Sequence, residues 1–336
     1  MALAAMFVGT SGAGASTPTR TSPQSEAAAI ARVRWMSNVS VALGHGSWTL
    51  TSDGVPASDL VAPYYAVPAN PFDVSAAGAR VVASSSVLRD QDYDYTLPLT
   101  PKYSSTTTAA NQGPIGVLLD GAALYNPFEA NHATVATSDN FVATVNGVTA
   151  SFLDSCDGHP GPGGQYHYHG LPACLVSEAT GAAVRVGPVN STAGATTAGV
   201  ARASAASKEP LILGFAFDGY GIYDNVAMNG ATVPVSALDA CNGIFSPVPG
   251  YPHGVYHYVL ENVKGARSSI SCYHGVVSSA YTQALATLLI GPKAARAFAS
   301  ATGTTRPATA ASLAANRDED DYLRAMLRVS GLNSYC

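Results

Sequence analysis

Charge is scarce in this chain. Only 12% of its 336 residues are Asp, Glu, Lys or Arg, and the 17 basic residues are spread thinly along it. A nucleic acid or an anionic membrane surface calls for a basic patch, so neither is an expected partner. Long apolar runs are missing too. No stretch reaches the ~18 residues of a membrane span, and Ala284-Leu-Ala-Thr-Leu-Leu-Ile290 reads as a core helix. There is no Cys-x-x-Cys, which speaks against a thiolate zinc knuckle. Gly-x-Ser-x-Gly, His-Glu-x-x-His, Gly-Lys-Ser/Thr and the dinucleotide fingerprint are also absent, leaving the common hydrolase, zincin and nucleotide signatures without support.

What is present begins at the amino terminus. Ala2 to Val8 is apolar, and Ala13-Gly14-Ala15 before Ser16 fits the small-x-small pattern of a signal-peptidase site. Residues 1–34 are therefore expected to be a signal-like segment and a Pro/Ser/Ala-rich leader without a packing face. The expected location is secreted, extracellular or periplasmic. Five cysteines, at 156, 174, 241, 272 and 336, agree with an oxidising compartment.

The fold expected is mainly β, with an internally duplicated β module and a small helical C-terminal segment. Residues 35–111 alternate as strands do, as in Trp48-Thr-Leu-Thr51 and Tyr93-Asp-Tyr-Thr-Leu97. Then landmarks recur. Gly116-Val-Leu-Leu-Asp-Gly-Ala-Ala-Leu-Tyr-Asn126 matches Gly214-Phe-Ala-Phe-Asp-Gly-Tyr-Gly-Ile-Tyr-Asp224, each a hairpin whose Asp-Gly is expected to supply the positive φ angles. Leu153-Asp-Ser-Cys-Asp-Gly158 matches Leu238-Asp-Ala-Cys-Asn-Gly243, and Tyr166-His-Tyr168 matches Tyr256-His-Tyr258. A Tyr-His-Tyr triplet is expected by chance only about 0.02 times in such a composition, so two in ordered register point to duplication. The expected blocks are a first half at 112–177, a linker or inserted loop at 178–209, a second half at 210–276 and a helical segment at 277–336. The shared landmarks suggest disulfides Cys156–Cys174 and Cys241–Cys272, while sequence leaves other pairings open.

Alternate residues of a strand share a face, so His167 and His169 point one way and Tyr166 and Tyr168 the other. Two imidazoles so placed can chelate one ion. If the halves meet about a twofold axis, His257 would be the third ligand, and zinc, copper or iron would suit the set. Asp154 and Asp239, with Tyr166, Tyr168, Tyr256 and Tyr258, would orient the ligands from behind, although aspartates there also cap turns. His159 and His253 sit in Gly/Pro loops and read as surface. His132, His45 and His274 have no assigned part, and Asp120 and Asp218 are explained by the turns. Two other readings stay open. One is an extracellular structural or carbohydrate-binding module whose tyrosines face a small-molecule or glycan ligand. The other is a metal-free hydrolase using His and Asp. Whether the protein is an enzyme, and its oligomeric state, are left unassigned.

Asp-Ser-Cys-Asp-Gly-His…Gly-Gln-Tyr-His-Tyr-His-Gly-Leu-Pro-Ala-Cys resembles the YHYH-domain family, as do the Gly-Phe-Ala-Phe-Asp-Gly-Tyr-Gly-Ile-Tyr segment and the second Tyr-His-Tyr. The resemblance covers roughly residues 112–276 and implies an exported protein, with no activity that transfers. The chain departs from the tetrapeptide at Val259, where a second histidine is common. One asymmetric site dominated by the first half is therefore expected.

Overall fold

The computed structural model describes residues 23–56, 74–76, 80–82, 88–110, 112–129, 133–137, 142–145, 148–151, 153, 156–161, 164–180, 207–261, 265 and 267–281. The signal-like residues 1–22, most of the expected linker and the expected helical tail beyond Tyr281 lie outside the described residues. So do Asp154, His132 and Cys336.

The chain enters on helix α1 (Pro23–Arg32), which opens on a proline and runs through alanines. Its Ile30 is buried beside Trp48 and Leu50, so the segment expected to lack a packing face has one. Strands β1 (Val39–Leu43) and β2 (Ser47–Ser52) follow, then the short β3 (Val74–Ala76) and β4 (Arg80–Val82), then β5 (Tyr93–Pro98) and β6 (Thr108–Ala109). β1, β2 and β5 form a three-stranded antiparallel sheet. The first half supplies β7 (Pro114–Leu118), β8 (Ala123–Tyr125), β9 (Val142–Val145), β10 (Val148–Ser151), β11 (Gly158–Pro160), β12 (Tyr166–Tyr168) and helix α2 (Ala173–Thr180). The second supplies β13 (Ile212–Ala216), β14 (Gly221–Tyr223), β15 (Gly243–Val248), β16 (Tyr251–Val259) and β17 (Cys272–Tyr273). β9 and β10 join β3 and β4 in a small sheet, and β17 pairs with β6.

The main sheet has eight strands in the order β11-β12-β8-β7-β13-β14-β16-β15. Read from either end, the pairings are the same: antiparallel, parallel, antiparallel, meeting at the antiparallel β7–β13 pair. Each half thus contributes four strands with one connectivity. At the central pair the backbones lie close, because a Cβ on Gly214 would overlap the Val117 carbonyl oxygen.

One face of this sheet, through Val117, Ala123, Phe215 and Phe217, packs against Trp48, Leu50, Tyr95 and Leu97 of the N-terminal sheet. Trp48 meets Phe215 edge-on at 5.1 Å between ring centroids. The opposite face buries Leu118, Leu124, Tyr168, Ile222 and Tyr258 with the half-cystines Cys156, Cys174 and Cys241. Both disulfides are present, Cys156–Cys174 and Cys241–Cys272.

The hairpin turns differ from expectation. Gly121 and Gly219 take positive φ, but Asp120 and Asp218 do not. The turn closes through Gly121 N–H to Leu118 O at 2.9 Å and Leu118 N–H to Ala122 O at 3.0 Å, so one left-handed glycine suffices. The aspartate is kept for its carboxylate. Asp120 Oδ1 accepts from Ala122 N–H, and Oδ2 accepts from the Tyr168 hydroxyl at 2.8 Å. Asp218 does the same with Tyr220 N–H and the Tyr258 hydroxyl.

Candidate metal centre

β11 and β12 pair so that His159 lies opposite His167, and β12 pairs with β8 so that His167 lies beside Ala123. Cross-strand partners share a face, so both imidazoles stand on the side of the sheet that carries Ala123. His169, two residues beyond His167, joins them, with ring centroids 4.8 Å apart. One nitrogen from each of His159, His167 and His169 lies within 4.8 Å of the others, and all three residues are buried. Tyr125, at the end of β8, stacks on His167 at 3.8 Å.

A carboxylate approaches two of these histidines from the loop after β8. Glu129 Oε1 lies 3.4 Å from His159 Nε2 and 3.3 Å from His169 Nε2, and those two nitrogens are 3.3 Å apart. Two imidazole nitrogens and a carboxylate oxygen therefore meet in a near-equilateral triangle. Its side matches the ligand–ligand edge, about 3.3 Å, of a tetrahedron with metal–ligand bonds of about 2.0 Å.

The tautomers are set from behind. His169 Nδ1 lies 2.6 Å from the Asn126 carbonyl oxygen, and His167 Nδ1 lies 3.1 Å from the Gln165 carbonyl oxygen. A carbonyl only accepts, so each Nδ1 carries the hydrogen and each Nε2 keeps a lone pair for an ion. The second half steadies the same backbone: the Ser268 hydroxyl donates to His169 O and the Ser269 hydroxyl to Tyr125 O.

Protonation states suit a cation. Burial pushes His169 down to about 4 against the pull of Glu129, and burial with the neighbouring imidazoles pushes His167 well below the usual histidine value. Burial alone would raise Glu129, but His159 and His169 outweigh it and hold the carboxyl below its ordinary range. At neutral pH the centre thus offers the neutral His167 and His169 beside a carboxylate. Glu129 Oε1 is buried and makes no hydrogen bond. An ionised oxygen left so is costly, and a divalent cation at the triangle would satisfy it.

His257 is not in this cluster. It stands on the corresponding face of β16, but β12 and β16 are five strand spacings apart, about 24 Å along the sheet. The strand order and registers keep both residues on one face without bringing them together. Tyr166, Tyr168, Tyr256 and Tyr258 are buried, so they offer no recognition surface. Asp239 caps its turn, accepting from Cys241 N–H and Gly243 N–H, and holds the Tyr256 hydroxyl at 2.8 Å. The histidine beside it is His274, with Nε2 3.4 Å away. Cys241 is in reach of that pair, but its sulfur is in a disulfide and is no thiolate ligand. His45 and His253 are exposed.

Residues 94–237, somewhat less than half of the chain, match the family model described as YHYH protein. The matched span contains Glu129, His159, His167 and His169 and ends before His257. No curated protein and no solved structure gives a significant match to the chain.

Proposed function

We propose that this is an exported transition-metal-binding protein whose ion is held by His159, His167, His169 and Glu129. The observation that carries the reading is the triangle of His159 Nε2, His169 Nε2 and the hydrogen-bond-free Glu129 Oε1 at 3.3–3.4 Å. His257 leaves the ligand set proposed from sequence, and His159 and Glu129 enter it. Three imidazoles and a carboxylate suit zinc, copper or iron. Burial of the donors favours closed holding of the ion over turnover of a bulky substrate. The two disulfides, the signal-like start and the absence among the described residues of a helix long and apolar enough to cross a membrane support export.

Metal analysis of the untagged full-length protein tests this. One equivalent of a transition metal per chain is expected, with His169→Ala lowering affinity at least about 100-fold. A folded wild-type protein that takes up no such metal, with the variant titrating identically, would refute it.

A second reading, a small-molecule or glycan binder, draws on a different feature. A largely apolar cleft of about 610 Å³ runs between α1, the end of α2 and the β15–β16 turn, with Val33, Leu175, Tyr223 and Tyr251 in its lining. That volume is of ligand size. None of the candidate metal donors is in its lining, so ligand binding there would survive chelation.

A further inference from the structure

Strand registers give each donor of the metal centre a counterpart in the second half. β14 pairs with β16 as β8 pairs with β12, and β15 with β16 as β11 with β12. Gly158 faces Tyr168 and Gly243 faces Tyr258, so the next residues, His159 and Ile244, correspond. They lie opposite His167 and His257 respectively. His169 corresponds to Val259. The fourth position follows from the loops after β8 and β14. An isolated bridge joins Phe128 to Val135 in one and Val226 to Thr232 in the other. The next residues, Glu129 and Ala227, each donate their N–H across the loop, to Thr134 O and Ala231 O.

Three of the four donor positions are thus aliphatic in the second half: Ala227, Ile244 and Val259. They are packed together. Val259 is 1% exposed and forms a cluster with Val233 and Leu238, against which Ala227 and Ile244 rest. The frame is otherwise kept. His257 Nδ1 lies 3.0 Å from Val255 O as His167 Nδ1 lies 3.1 Å from Gln165 O. Tyr223 also neighbours His257, though edge-on at 4.9 Å where Tyr125 stacks on His167 at 3.8 Å. The turn carboxylates hold their tyrosines alike.

We infer that the second half is the frame of a second transition-metal site whose donor positions hold a hydrophobic plug. Restoring the donors opens that site to a divalent ion. The inference rests on the reading of the first centre but is tested apart from it. The backbone positions Val259 and Ile244 as it positions His169 and His159, and His257 is already in place with its Nδ1 against a carbonyl. What the second half lacks is side chains, not geometry.

The experiment titrates the full chain with Zn²⁺ alone, in the wild type and in the triple variant Ala227→Glu, Ile244→His, Val259→His. Wild type is expected to take one ion per chain and the variant two. Adding His169→Ala to the triple variant should bring it back to one. A folded triple variant that gains no ion overturns the inference, whatever the wild type binds. A wild type that binds none refutes the first centre instead.

Donors placed in an apolar cluster could prevent folding without metal, so the reciprocal variant gives a second readout. Glu129→Ala with His159→Ile and His169→Val installs the plug in the first half. It should fold and be at least as stable as Glu129→Ala with His169→Ala, because the same frame already packs those aliphatic residues. A reciprocal variant less stable than the double alanine variant would overturn the inference.

Discussion

At the scale of single residues, the candidate centre is built from what the two halves do not share. The conserved landmarks between them, Tyr-His-Tyr, the Asp-Gly turn and the cysteines, show where the frame lies. His159 stands where the other half has Ile244, and Glu129 where it has Ala227. A search for agreement between the halves therefore passes over both; His159 reads as a loop residue, and Glu129 draws no notice. His167 and His169 were legible because strand periodicity puts them on one face. His257 carries a charge-state consequence of its own. Burial pushes it down to about 4, against 6.5 for an unperturbed imidazole. A depressed value means that its stabilising contribution is fully present above pH 6.5 and is lost as pH falls toward 4, because the unfolded chain takes up the proton first. Asp120, raised by burial to about 6, acts oppositely: its contribution is present below 3.8 and lost as pH rises through 6. His257→Asn should therefore reduce the stability lost between pH 7 and pH 4.5 by about 2–3 kcal/mol, leaving the Asp120 limb in place. Denaturant titrations at the two pH values measure this, and an unchanged difference would count against a neutral buried His257.

At the scale of elements, the hairpins and the strand containing each Tyr-His-Tyr followed from alternation and turn chemistry. Two helices did not. α1 is hidden because Ala-rich sequence without a clear apolar stripe looks like leader, yet its Ile30 packs into the core. α2 follows Leu171-Pro172 and straddles the expected boundary between the first half and the linker, with no helix expected there. The elements are stapled: Cys156 lies just before β11 and Cys174 in α2, while Cys241 lies just before β15 and Cys272 in β17. The loops close over separations of 18 and 31 residues. Chain-entropy arguments put their contributions at about 3 and about 4 kcal/mol. Replacing each cysteine pair by serines should cost those amounts in equilibrium unfolding. Loss of Cys156–Cys174 should also weaken metal binding, because it frees the strand that carries His159. Loss of Cys241–Cys272 should leave metal affinity near wild type. Equal effects of the two changes on metal affinity would contradict the placement of the centre.

At the scale of the whole molecule, a recurring order of motifs is readable in the sequence, but the placement of the strands that carry them is not. Sequence shows that two modules share an order of motifs. It does not show whether their histidine strands lie at the centre of a joint sheet or at its two ends. Here the central places go to β7 and β13, whose glycines allow close approach, and β12 and β16 are sent outward. That single choice decides against one shared centre.

The same arrangement makes the protein a natural split pair. The two four-stranded blocks join edge to edge at β7–β13, and the second block's Ser268 and Ser269 reach over to the backbone beside the first block's centre. Neither disulfide crosses between the blocks. A protease site inserted between residues 180 and 207 and then cut should leave two fragments that co-elute and still hold one metal ion, separating only under denaturant. Fragments that part in native buffer would show that the covalent link, rather than the seam, keeps the halves together.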